Sequence, residues 1–151
     1  MSFFYNLLKF IHIFSAIVAV GANITYGVWN ARLAGEPSHA AFALKGIKFL
    51  DDRIANPAYG VLLLTGLILV FVGNWGFKLW VIVALIGFAI VAGLGFGVFT
   101  PLLRNQIRLA ESGDTSSAEY QRLAGRSRAL GPALGLVVVI ILVMMVFKPT
   151  I

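Results

Sequence analysis

The chain has no cysteine. That excludes a disulfide framework, a thiolate nucleophile and any metal site built on cysteine sulfur. Carboxylates are almost as scarce: Glu36, Asp51, Asp52, Glu111, Asp114 and Glu119 are the six acids among 151 residues. None lies inside the long apolar runs, which argues against a cation-coupled transporter, because such proteins ordinarily keep an acid within the membrane. Histidine occurs twice, as His12 and His39. Charged residues are 12% of the chain, against about 25% in soluble domains, and no polar stretch is long enough to form a second domain.

What is present is apolar. Hydrophobic residues make up 60% of the chain and the mean hydropathy is +0.93, which marks an integral membrane protein rather than a soluble one. Four apolar spans stand out, near residues 3–30, 54–73, 77–103 and 129–147. A bilayer core about 30 Å thick takes roughly 20 helical residues, so each span suffices. Strands with open edges cannot satisfy their backbone in lipid. The expected fold is all-α, a four-helix integral membrane bundle in which residues 1–151 form one domain. Pro57 is read as marking the start of the second span, where a helix tolerates proline.

Charge sets the expected orientation. Nine basic residues flank the spans on one side (Arg32, Lys45, Lys48, Arg53, Arg104, Arg108, Arg122, Arg126, Arg128) and three on the other (Lys9, Lys78, Lys148). The positive-inside rule then puts both long loops in the cytoplasm and both termini on the outer side of the inner (plasma) membrane. The net charge of +6 is assigned to topology and anionic lipid rather than to nucleic acid. The first span is expected to be retained, since it lacks a basic n-region and stays apolar past Asn23 to Trp29. In the second long loop, "SGD" should break short helices, with Asp114 or Thr115 as N-cap. Asp51, Asp52 and Arg53 are expected to form interfacial ion pairs. The glycines of "GLGFG" sit inside a span, so they read as close helix packing through Gly93 and Gly97 and not as a phosphate loop.

The first span carries the candidate site. At about 100° per residue, Tyr5, Lys9, His12, Ala16, Ala19, Asn23, Tyr26 and Asn30 share an arc of about 100°, with Leu7, Phe10, Phe14, Ile17, Ile24 and Val28 opposite. Asn23 and Tyr26 are expected to be interhelical glue. Lys9 can snorkel to the outer headgroups. His12, about 13 Å from the outer end at 1.5 Å per residue, is costly in lipid unless paired, which makes it a functional candidate. A neutral imidazole there could ligate haem iron or copper, or relay protons. His39 belongs to the opposite side, which leaves no bis-histidine haem within one chain. His12 with Met144 or Met145 would form a soft donor set suited to Cu(I), although methionine in a bundle is usually packing.

The order of "LLKFIHIFSAIVAVGA", "FLDDRIANPAYGVLLLTGLIL", "LLRNQIRLAESGD" and "LVMMVFKP" resembles an uncharacterised family of small predicted bacterial membrane proteins. That family is similar in turn to the copper resistance protein D domain and the HemJ-type protoporphyrinogen oxidases. The close family implies a four-span fold and no established activity. The HemJ-type resemblance rests on "KFIH", with Lys9 and His12, and on Lys78 in "GFKLW". It implies a tetrapyrrole such as haem b, or a metal, near His12, and the outer-half position lets Lys9 and Lys78 pair with the propionates if the ligand is a haem. The chain departs from that pattern at "YGVWNARLAG", which replaces a histidine-ending motif, and at Phe77 before Lys78. The enzyme activity is therefore not carried over. Two classes remain open: a non-catalytic membrane component, either an accessory or structural subunit, as a homo-oligomer or in a larger complex, or a small permease working as an oligomer; and a redox or metal protein using His12.

Overall fold

The computed structural model describes residues 2–149, and no strand occurs among them. Helix α1 (Phe3–Leu33) starts on Ser2, whose hydroxyl accepts the Tyr5 N–H at 3.3 Å. A short turn at Pro37–His39 leads into α2 (Ala40–Leu50), which runs on through Asp51–Ala55 into α3 (Asn56–Val72). After a tight turn come α4 (Leu79–Leu94), a segment at Gly95–Phe99, α5 (Thr100–Glu111) and α6 (Ala118–Phe147).

The joints Asp51–Ala55 and Gly95–Phe99 are wide π turns: the Asn56 N–H reaches back five residues to Asp51, and the Thr100 N–H to Gly95. A proline, Pro57 or Pro101, stands two residues after the end of each. A proline ring collides with the carbonyl four residues back and offers it no N–H. The wide turn relieves the collision without ending the helix. Pro57 lies in the first turn of α3, where its position in the sequence suggested a start, but α3 continues from α2 without a break.

The result is four continuous helices of 31, 36, 33 and 30 residues, each long and apolar enough to cross a membrane. At 1.5 Å per residue they measure about 45–54 Å, well beyond a hydrocarbon core of about 30 Å. The surplus lies at the end of the bundle away from the termini, where the long connections are. There α2 packs on α5, while α1 runs alongside α3 and α4 alongside α6. The same end holds the one described core cluster, including Tyr26, Leu44, Ile47, Ala55, Leu103 and Tyr120. Leu44 and Ile47 are wholly buried. Along the apolar runs the large side chains point outward, as a lipid-facing surface requires.

On α1 the expected lipid face is exposed: Phe10, Phe14, Ile17, Ile24 and Val28 are all more than half accessible. The most buried line, Leu8, Ser15, Ala19, Ala22 and Tyr26, is centred about 60° around the helix from the polar stripe, by the 100° step. The stripe is one flank of the packing surface, and Lys9 lies beyond it, exposed. Three further expectations are corrected. Gly93 and Gly97 approach nothing within 4 Å; both are exposed beside the wide turn, and close approach occurs at Gly66 and Gly87 instead. The chain does turn at "SGD", with Gly113 at φ +77°, but the N-cap of α6 is Ser117, whose hydroxyl accepts the Tyr120 N–H at 3.1 Å. Asp52 pairs with Lys48 as expected of an interfacial acid, whereas Asp51 turns inward.

Candidate functional site

His12 lies half-buried against α3. Its Nδ1 is 3.0 Å from the Leu62 carbonyl and 3.2 Å from Thr65 Oγ1. The Thr65 hydroxyl donates to the Val61 carbonyl at 2.6 Å, which uses its single proton. Both neighbours of Nδ1 are therefore acceptors, and Nδ1 carries the hydrogen. In the neutral form of His12 this tautomer leaves the lone pair on Nε2. The ring fits because residue 66 is glycine: a Cβ there would stand 2.9 Å from His12 Cε1. Three residues of one α3 turn thus accommodate one side chain of α1.

Lys78 is placed elsewhere. Its Nζ lies 5.7 Å from the Trp75 ring, and Lys148 Nζ lies 4.4 Å from Trp75 and 5.4 Å from Trp80. Trp75 Nε1 donates to Tyr5 Oη at 3.3 Å, and Trp75 and Trp80 meet edge to face at 5.6 Å. Gly73 permits this cluster, since a Cβ there would stand 2.0 Å from Trp75 Nε1. Tyrosine, tryptophan and lysine gathered at a helix end match an interfacial anchor. Met144 and Met145 are half-buried near the end of α6, where the Met144 carbonyl accepts the Lys148 N–H at 3.0 Å. Among the described hydrogen bonds, ion pairs and aromatic contacts, none joins His12 to Lys9, Lys78, Met144 or Met145. His39 is exposed on the short turn before α2, 3.4 Å from Glu36. No group of three His, Asp or Glu able to hold a metal occurs among the described residues.

A second polar cluster lies nearer the loop end and was not legible as a unit. Asn23 donates to Tyr59 Oη, Tyr26 Oη donates to Asp51 Oδ1 at 3.4 Å, and Asn30 Nδ2 donates to the Tyr26 carbonyl at 2.9 Å. Tyr26 stacks on Phe99 at 5.9 Å and Tyr59 meets Phe88 at 6.0 Å. Asp51 is 7% exposed and its Oδ2 has no partner. The sequence held one signal: Ala40, Leu44, Ile47, Asp51 and Ala55 recur every three or four residues, so Asp51 falls on the buried line of its helix.

Chemically, the His12 pocket offers one unprotonated imidazole nitrogen, enough for a single coordination bond. It brings no second soft ligand to that nitrogen through any described contact. The Asn23, Tyr26, Tyr59 and Asp51 groups are engaged with one another, an arrangement that fastens α1 to the α2–α3 helix.

No curated protein and no solved structure matches the chain. A family of predicted integral membrane proteins, DUF2269, matches residues 6–149. Four apolar helices and a match over nearly the whole length agree, and the chain belongs to that family.

Proposed function

We propose that the protein is a non-catalytic component of the bacterial inner membrane, accessory or structural, that acts through its bundle and its basic loop end. The observation carrying this reading is that the polar groups of α1 are engaged inside the molecule. His12 bonds Leu62 and Thr65, Asn23 bonds Tyr59, and Tyr26 bonds Asp51. Interhelical bonds of this kind contribute about 1 kcal/mol each in lipid, and together they hold α1 in register. Both long connections face the cytoplasm in this reading, with the termini outside. The bilayer is the first partner, and a second copy or a larger membrane complex the next.

A second reading is favoured by one observation, the Nε2 lone pair that the Nδ1–H bond leaves on His12. A histidine whose other nitrogen is held by a carbonyl is oriented as metal-bound histidines usually are. In this reading the protein holds haem b or copper through His12, as its resemblance to the HemJ-type proteins implies, with Lys9 and Lys78 or the Met144 and Met145 sulfurs completing the site. One comparison separates the two. Wild type and His12→Ala are purified in parallel from cells supplied with haem precursor and copper, and their visible spectra and metal content are measured. The accessory reading expects no Soret band and no stoichiometric metal in either. A cofactor present in wild type and lost in His12→Ala overturns it in favour of the second.

A further inference from the structure

At the loop end, the last turn of α1, helix α5 and the start of α6 line an open cavity of about 240 Å³. Gln106 of α5 lines this cavity and is 1% exposed, yet its Oε1 has no hydrogen-bond partner. Buried polar atoms in native structures are rarely left so, and one that is unpaired calls for a function. Asn23, Asn30 and Thr65 in the same bundle are all bonded, and of the two unpartnered buried oxygens described, Asp51 Oδ2 and Gln106 Oε1, only that of Gln106 belongs to a residue lining this cavity.

The groups around Gln106 define a ligand. Asn30, Tyr120, Gln121 and Arg128 share the lining, and it contains no acid. Arg128 Nε donates to the Ala124 carbonyl at 3.3 Å, which steadies the guanidinium and leaves its terminal amino groups to donate elsewhere. Asn30 uses Nδ2 on the Tyr26 carbonyl and keeps Oδ1 as an acceptor. One cation, a phenol and amides that both donate and accept suit an oxyanion carrying a hydroxyl or amino group close by. The volume is below the about 300–1,000 Å³ of sites for drug-sized ligands. Asn30 ends the first apolar run and Arg128 directly precedes the fourth, so the cavity lies at the level of lipid headgroups.

We propose that this cavity binds a phosphate ester of glycerol-phosphate size, as a phospholipid headgroup or free, with Arg128 on the phosphate and Gln106 on the neighbouring hydroxyl or amino group. This goes beyond the accessory role and involves no residue of the His12 pocket. The test is native mass spectrometry of the detergent-purified chain with phosphatidylglycerol, with diacylglycerol, and with free glycerol 3-phosphate. Wild type is expected to retain one phosphate-bearing probe per chain and no diacylglycerol. Retention of phosphatidylglycerol alone identifies a headgroup site, and comparable binding of glycerol 3-phosphate identifies a site for the free ester. Arg128→Gln and Gln106→Leu should each weaken binding about tenfold, the loss of one charge-assisted or buried hydrogen bond. Arg126→Gln, exposed on the same helix outside the cavity, should bind as wild type. The proposal is overturned if neither phosphate probe binds, if Gln106→Leu binds as wild type, or if Arg126→Gln weakens binding as much as Arg128→Gln. Should Gln106→Leu fail to fold, the Arg128 and Arg126 variants decide alone.

Discussion

His12 and Gly66 dictate each other. The imidazole reaches Leu62 and Thr65 because nothing projects from residue 66, and the bare glycine face is filled by the ring. Gly66→Ala puts a methyl 2.9 Å from His12 Cε1, so the ring must shift and its bond to the Leu62 carbonyl must lengthen. We expect a loss of roughly 1–3 kcal/mol, the usual cost of overpacking. Gly60→Ala, one and a half turns earlier and with open space at its Cβ, should be neutral or slightly stabilising, by up to about 1 kcal/mol. Thermal unfolding in detergent compares the two, and equal effects would show that the His12 contact carries no weight. The sequence singled out His12 because an ionisable side chain stands alone in an apolar run. Its principal partner was illegible because it is a backbone carbonyl, which no residue type encodes. Gln106 was missed for a different reason: in sequence it is one more polar residue after a span, and only burial without a partner sets it apart.

At the scale of the helix, periodicity was informative about faces and poor about ends. It separated the exposed side of α1, Phe10, Phe14 and Ile17, from the side carrying Ala19 and Tyr26. It misplaced the centre of burial by about 60°, because the polar residues lie on the flank that bonds α3 while alanine and serine allow the closest approach. It also started the second span near Pro57, whereas the wide turn carries the helix on into it from α2. Ala19 is fully buried, so Ala19→Phe should separate α1 from its neighbours and cost roughly 3 kcal/mol or more, or prevent assembly. Phe14→Leu on the lipid face should change stability by less than about 0.5 kcal/mol. Size-exclusion profiles and unfolding temperatures of the two variants check this, and similar tolerance at both positions would contradict the assigned faces.

For the whole molecule, the two ends of the bundle are held together by different physics. Within the bilayer, burying leucine against another helix gains little over burying it in lipid, so association there rests on packing and hydrogen bonds. Beyond the hydrocarbon the hydrophobic effect returns, at about 25 cal/mol per Å², and the Leu44, Ile47 and Leu103 cluster lies there. Ile47→Ala should therefore cost about 2–5 kcal/mol, read as a lowered unfolding temperature, whereas Ile140→Ala on the outward face of α6 should cost far less. Charge predicts which side of the membrane this stabilised end occupies. Arg104, Arg108, Arg122, Arg126 and Arg128 all lie at that end, while the opposite end holds Lys78 and Lys148 against Trp75. Translocating an arginine-rich helical end is unfavourable, so the core should be cytoplasmic and the tryptophan cluster outside. The native chain has no cysteine, so single engineered cysteines report without background. A cysteine at Ser112, in the turn between α5 and α6, should resist an impermeant maleimide in intact cells and react after lysis. One at Phe77, exposed in the turn between α3 and α4, should react in intact cells. The reverse pattern would place the arginine-rich core outside and refute the orientation.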